Sequence, residues 1–477
     1  MRSLRDACGA DGVVTDSGSL RTYESDGLTQ YAATPAAVAI PDTAEGVQAV
    51  VRACHQEGVP WVARGAGTGL SGGALPVADG VLIVLSRLRR VLEVDLANRC
   101  LVVEPGVTNV DVGRAAGDGH LYPPDPSSQI VCSIGGNVAE NSGGPRCFKY
   151  GFTTNYVIGL EVVLPDGELV RLGGKEVDSP GYDLIGVIVG SEGTLGVVTK
   201  VWLRIVPAPE ETVTMVGFFG SVAEAGDVVS EIVASGTVPA AIELMDKLTI
   251  EATEEVAHAG YPQDAGAALI VELDGPREEC DHKGAGVHEA MKRGGAAEVW
   301  RAADAAERDR IWKARKAAFA AMGRISPSYY VQDGVVPRTR LAEILARIGS
   351  LGEDAGLRVA NVFHAGDGNL HPLICFDPER PGEAERAEEL AGMILEVCIE
   401  SGGSITGEHG VGVDKKAHMP LMFDEPDLDA FHRVRCAFDP AGLANPGKVM
   451  PTPRLCGEVP GPARRHPLER DGVIERI

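Results

Sequence analysis

The chain reads as an α+β protein built from two layered domains, and three observations lead there. It has 477 residues, 44% hydrophobic and 23% charged, a globular composition too long for one ordinary core. Beyond Pro207 and Pro209 the apolar pattern alternates strand, helix, strand, which predicts an antiparallel sheet with helices on one face. Before that point, short strands are interrupted by three glycine clusters between Gly65 and Gly196.

The elements follow in chain order. Asp42 to Gly58 reads as a helix: Asp42 and Glu45 are spaced as in a capping box, Val47, Val50, Val51 and Cys54 form an apolar stripe, and Gly58 is a suitable stop. Strands are predicted at 60–63, 81–85, 91–95 and 101–104. Those at 155–164 and 168–172 flank Pro165-Asp166-Gly167, a hairpin turn. The second half predicts strands at 212–219, 240–245 and 267–273, with helices at 222–234, 277–292 and 302–322. The expected division is an N-terminal extension (1–33), a first domain (34–210), a second or cap domain (211–440) and a C-terminal segment returning to the first (441–477).

The formal charge of −24 repels nucleic-acid backbones, so no nucleic-acid partner is expected. No stretch approaches the ~18–20 apolar residues of a membrane span. The first eighteen residues lack the apolar core of a secretory signal, so a cytoplasmic location is expected. The ten cysteines form no CxxC pair. Neither a zinc ribbon nor a ferredoxin-type cluster is readable, and thiols packed in cores are expected.

Gly67-x-Gly69-x-x-Gly72 satisfies the GxGxxG pattern, but Ala74-Leu75-Pro76 follows where a Rossmann site needs a helix. Gly135-Gly136-Asn137 through Gly143-Gly144, and Gly190-Ser191-Glu192-Gly193-Thr194-Leu195-Gly196, are further clusters. Glycines let backbone N–H groups approach a diphosphate closely. Three such clusters suggest one long anionic cofactor lying across a domain.

His364 and His371 flank Gly366-Asp367-Gly368-Asn369. A two-residue type I′ turn on Asp367-Gly368 would place the two histidines directly opposite one another, with Cβ atoms roughly 4.5–5.5 Å apart. Gly407-Glu408-His409-Gly410 offers a carboxylate in a glycine-flanked loop. The residues alone leave two readings open: a hairpin with two exposed histidines, or two imidazoles and a carboxylate on one zinc, manganese or iron ion.

The segments RGAGTGLSGG, PPDPSS, GGNVAENSGG, Tyr150-Gly151 and GSEGTLGVVT resemble the FAD-binding domain of the vanillyl-alcohol oxidase, or PCMH-type, flavoproteins. The segments WKARKAAFAAMGRISPSYYVQDGVVPR, HAGDGNLH, GEHGVGVDKK and NPGK resemble the branch that oxidises D-2-hydroxy acids, with glycolate-oxidase D-type subunits nearest and D-lactate dehydrogenases close by. The resemblance covers nearly the whole chain. It implies that Arg64, Gly65, Ala66, Gly67, Thr68, Gly69, Leu70 and Ser71 wrap the FAD pyrophosphate. It sets Pro124, Asp125, Ser127, Gly135, Asn137, Ser142 and Gly143 along the cofactor, Glu192, Gly193 and Val197 near adenine and ribose, and Asn445 back at the flavin. No histidine or cysteine stands in 64–74, so FAD is expected to be held noncovalently.

The resemblance further implies that His364, His371 and Glu408 ligate a divalent metal, that His409 is the catalytic base, and that Arg315 grips the substrate carboxylate. Tyr330 and Phe319 stand where relatives acting on diacids carry polar groups, which implies a small monoacid such as glycolate or D-lactate. The expected reaction is FAD-dependent oxidation of a 2-hydroxy acid to the 2-oxo acid. A second flavin-fold subunit and an iron–sulfur subunit are implied as partners, with any attachment to the inner membrane running through them. The rivals are a D-lactate dehydrogenase, a noncatalytic FAD electron relay, and a non-redox flavoenzyme such as an alkyl-glycerone-phosphate synthase.

Overall fold

The computed structural model describes residues 1–176 and 180–451. The first half carries two sheets. In one, the strands Val13–Val14, Ala37–Ala39, Val81–Val84 and Trp61–Arg64 lie side by side in that order, the last three parallel. The helix Ala44–Glu57 packs on this sheet through Val47, Val50, Val51 and Cys54. Its N-cap is Thr43, whose hydroxyl accepts from the Gly46 N–H at 3.0 Å, so the cap lies one residue beyond the expected Asp42, and Gly46, without a side chain, cannot close the expected capping box. Gly58 ends the helix in the left-handed region, as its lack of a side chain allows. The other sheet is antiparallel, in the order Val91–Asp95, Cys100–Val103, Val197–Arg204, Val157–Val163, Leu169–Gly173.

The second half is one seven-stranded antiparallel sheet. Its order is Glu298–Arg301, Glu211–Phe219, Ala267–Gly275, Ala241–Asp246, Arg358–His364, Pro372–Phe376, Ser328–Val331. Side chains alternate between its faces. Val213, Met215, Leu269, Val271, Leu244 and Phe363 pack under helices Val222–Ala234, Arg277–Arg293, Leu341–Ala355 and Glu383–Glu400. Val216, Phe218, Ala268, Ile270, Met245 and Val362 pack under helices Lys247–Ala257 and Ala305–Ala321. The sheet is therefore covered on both faces, where helices on one face were expected. The cause is visible in its strands: Ala267–Val271 is apolar at every position, a pattern that buries both sides.

The C-terminal part comes back to the first sheet. The Trp61 N–H donates to the Leu443 carbonyl at 2.9 Å, and the Asn445 N–H to the Trp61 carbonyl at 2.8 Å. Residues 452–477 of the expected returning segment lie outside the described residues. Among the described residues, eight cysteines are buried as free thiols.

Candidate active site

The histidine hairpin folds in a different register from the one expected. Asn361 pairs with Pro372 and Val359 with Ile374, and His364 bridges Asn369, not His371. The turn is four residues, Ala365–Gly368. The Gly368 N–H donates to the His364 carbonyl at 3.1 Å, while the Asp367 carboxylate takes the Asn369 N–H at 3.0 Å. Gly368 has φ +82°, which glycine adopts without strain. The shift is two residues, the period of a strand, so His371 stays on the same face as a diagonal neighbour of His364. The rings still meet, with centroids 5.1 Å apart and planes at 89°.

Both histidines are buried, on the face covered by helix Ala305–Ala321. Each brings Nε2 to one oxygen of Glu408, His364 at 3.2 Å and His371 at 3.1 Å. The three ligand atoms lie within 4.8 Å of one another. Among the described residues this is the only cluster of three or more such groups. Opposite His364 in register stands Glu243, fully buried, whose Oε1 is 2.7 Å from His364 Nδ1. A carboxylate there makes Nδ1 the N–H nitrogen and leaves the Nε2 lone pair turned toward Glu408. A lone pair facing a carboxylate oxygen needs a proton or a cation between them. Burial opposes charge on both groups. The flanking carboxylates nonetheless hold His364 well above its ordinary pKa, and the two imidazoles hold Glu408 well below its own. The donor set and this focus of charge fit a divalent metal. His371 Nδ1 is buried without a partner.

His409 stacks on His371, with centroids 5.1 Å apart and planes at 14°. Burial pushes its pKa down to about 4, against the pull of Asp333, so its imidazole is neutral at neutral pH.

A cleft of about 640 Å³ runs from these histidines across the first half. Its walls include Arg64, Gly65, Ala66, Gly67, Thr68, Gly69 and Leu70, then Ser127, Gly135, Asn137 and Ser142, then Glu192, Gly193 and Val197. At the other end stand Phe319, His371, Glu408 and His409. The three glycine clusters thus share one elongated space with the histidine cluster, and its shape fits a long nucleotide cofactor.

Other expected site residues lie behind this wall. Ser71 is fully buried and its carbonyl accepts from Val413 and Asp414. The Pro124 carbonyl accepts from Asn109. Asp125 accepts from the Arg146 N–H and pairs with its guanidinium at 3.5 Å. Gly143 packs so tightly on Cys147 and Phe152 that a Cβ would lie 2.8 Å from both. Asn445, fully buried, donates from Nδ2 to the carbonyls of Gly73 and Glu192, holding two cleft loops together.

Arg315 is also off the cleft wall. It is 3% exposed, with Nε committed to Glu243 Oε2 at 2.7 Å, because a fully buried carboxylate requires a cationic partner. Its Nη2 is buried without a partner. The neighbouring Lys316 lines the cleft. Tyr330 points away: it belongs to the opposite core and bonds the Asp414 carboxylate. Tyr329 and Val331, one residue to either side, line the cleft, as strand alternation requires.

Two residues that organise the site carry no expectation from the sequence. Glu243 is legible only as a charge inside the otherwise apolar run Ala241–Met245. Asp333 sits in the loop after Val331, and nothing in its spacing ties it to 407–410.

The description "FAD linked oxidases, C-terminal domain" fits residues 208–449, and "FAD binding domain" fits residues 35–173. The chain belongs to the FAD-linked oxidase family. This oxidase is 49% identical to glycolate oxidase subunit GlcD of Escherichia coli K12 over 91% of the chain and 88% of the relative. It is 33% identical to the D-lactate dehydrogenase of Archaeoglobus fulgidus over 86% of the chain and 90% of the relative. In fold alone it resembles p-cresol methylhydroxylase (TM-score 0.78, 18% identity, 94% and 95% of the two chains). The same holds for alkyldihydroxyacetonephosphate synthase (TM-score 0.73, 18% identity, 93% and 85%). FAD is the cofactor of this PCMH-type α+β oxidoreductase.

Proposed function

We propose that this oxidase converts a small 2-hydroxy acid, glycolate or D-lactate, to the 2-oxo acid. One observation carries the reading: His371, Glu408 and His409 stand at the end of the cleft that the three glycine clusters line. The names of the relatives, glycolate oxidase subunit and D-lactate dehydrogenase, point to the same substrates.

When bound, FAD supplies the hydride acceptor, and a divalent zinc, manganese or iron ion on His364, His371 and Glu408 supplies Lewis acidity. The chain's own residues do the rest. His409, neutral at working pH, takes the substrate hydroxyl proton at Nε2, the ring nitrogen away from Asp333. Arg315 stays behind the cleft wall, where Nε holds the Glu243 carboxylate and its charge adds to the field toward a substrate carboxylate. Lys316 at the cleft adds positive field for an anion. Phe319, edge-on to His371 with centroids 6.1 Å apart, and Val331 give an apolar wall suited to a short acid. Arg64 through Leu70, with Gly135, Asn137 and Gly193, hold the cofactor noncovalently.

The relative named as a subunit supports partner chains; the electron acceptors proposed among them are a second flavin-fold subunit and an iron–sulfur subunit. Among the described residues no helix is long and apolar enough to cross a membrane; attachment to one through those partners is part of the same proposal.

Anaerobic mixing with glycolate and with D- and L-lactate tests the reading. Glycolate and D-lactate should bleach the flavin and L-lactate should not. A flavin that no 2-hydroxy acid reduces would sink it. An electron-relay role is disfavoured, because a relay needs no imidazole poised in a metal-ligand cluster.

A further inference from the structure

Among the buried titratable groups that the proposed chemistry does not use, Asp333 is the most fully engaged. It is 0% exposed. Its Oδ2 accepts from three consecutive backbone N–H groups, Gly407 at 3.0 Å, Glu408 at 2.9 Å and His409 at 2.7 Å, and from the Thr406 hydroxyl at 3.0 Å. Its Oδ1 pairs with the ammonium of Lys415, itself 1% exposed. The Gly407 N–H also reaches the Asp333 carbonyl at 2.9 Å, and the Gly410 N–H returns to Thr406 Oγ1 at 3.0 Å.

Consecutive amides that converge on an anion form a nest. Such nests usually bind a ligand, but here the chain supplies the anion. With the amides of 407–409 turned inward, the side chains of Glu408 and His409 are turned outward. One reaches His364 and His371, and the other stacks on His371.

We propose that Asp333, with Lys415 as its counter-ion, is the positioning residue of the active site: it wraps the 406–410 loop around its carboxylate and thereby sets Glu408 and His409 in place. This rests on the reading of Glu408 as a metal ligand and His409 as the base, but the loop geometry stands apart from it. Asp333 does not line the cleft. Charge-assisted bonds to several amides at once are stronger than neutral ones and are lost together, so the effect of removing the carboxylate should be concentrated on one loop.

The test uses the FAD-loaded full chain as wild type, D333N, and Asp333→Ala combined with Lys415→Met, which leaves no unpaired buried charge. Three quantities are measured: hydrogen exchange of the 406–412 peptide, Zn²⁺ affinity of chelator-treated protein, and anaerobic flavin reduction by D-lactate. The double variant should keep FAD, exchange the 407–409 amides at least ~10-fold faster, bind Zn²⁺ at least ~10-fold more weakly, and lose rate in kcat far more than in KM. D333N, which retains a neutral acceptor, should fall between. Wild-type exchange and wild-type Zn²⁺ affinity in the double variant would overturn the proposal. If the double variant does not fold, the same two results in D333N would overturn it. If wild type itself binds no Zn²⁺, the metal reading fails, and the exchange result alone still decides the role of Asp333.

Discussion

His409 is held neutral by its surroundings, and neutrality is what a proton acceptor needs. An imidazole at its ordinary pKa near 6.5 would be partly protonated at neutral pH. Burial against the His371 ring brings His409 to about 4. Replacing His409 with Ala should leave FAD bound and slow flavin reduction by at least ~10²-fold, the usual scale for a lost general base. Stopped-flow absorbance with D-lactate measures it, and an unchanged rate would remove the base from the mechanism. Asp333 is displaced for the opposite reason. Burial alone would raise its pKa, but Lys415 and the loop amides hold it down to about 2. A carboxyl depressed below its unfolded value contributes stability that is present above pH 3.8 and lost as pH falls through 2. That contribution is on the order of 2 kcal/mol. The melting-temperature deficit of D333N relative to wild type should therefore be full at pH 7 and begin to shrink only below about pH 4. A deficit independent of pH would mean the charge of Asp333 is not what stabilises the loop.

At the scale of elements, the four-residue turn of the hairpin decides where both histidines point. Gly368 permits it: φ is +82°, and a Cβ there would lie 2.1 Å from the Val336 carbonyl. Gly368→Val would meet both a forbidden backbone region and a clash. The hairpin should lose on the order of 1–3 kcal/mol, read from denaturant unfolding, with weakened divalent-metal binding alongside. Wild-type stability in that variant would show that the turn can be rebuilt another way. Much of this hairpin is legible in the sequence, because a Gly-Asp-Gly-Asn run between apolar segments predicts a turn. The register is not, since two turn lengths differing by two residues bury the same faces. The Tyr329/Tyr330 alternation was open in the same way. Either tyrosine can face the cleft until the pairing of Ser328–Val331 with Pro372–Phe376 fixes the phase.

Across the whole molecule, the loop that carries Glu408 and His409 is gripped from both halves. Asp333 of the second half holds residues 406–409. Glu192 of the first half accepts from the Val411 N–H at 2.6 Å and the Gly412 N–H at 2.7 Å. Gly410 lies between, so close that a Cβ would be 2.2 Å from Glu140 Oε2. Glu192 also lines the cleft, so the cleft wall and the 406–412 loop share one side chain. Replacing Glu192 with Ala strands two buried amides at about 1–3 kcal/mol each. It should lower the melting temperature and speed FAD release together, seen by differential scanning fluorimetry and flavin fluorescence. Loss of stability with unaltered FAD release would separate the two roles.

Composition and alternation were enough for an α+β protein, and the glycine clusters for a long anionic cofactor, because close backbone approach to a diphosphate demands glycine; the motif resemblance to FAD-linked oxidases, not spacing, pointed to FAD and to roles for His364, His371, Glu408 and His409. Which buried carboxylates serve them was decided only on folding. Glu243 reaches His364 across 121 positions of sequence and Asp333 reaches His409 across 76. No local spacing encodes such contacts, since they arise from strand order and from the need of every buried charge for a partner. The same need drew Arg315 behind the wall to Glu243 and left Lys316 in the cleft.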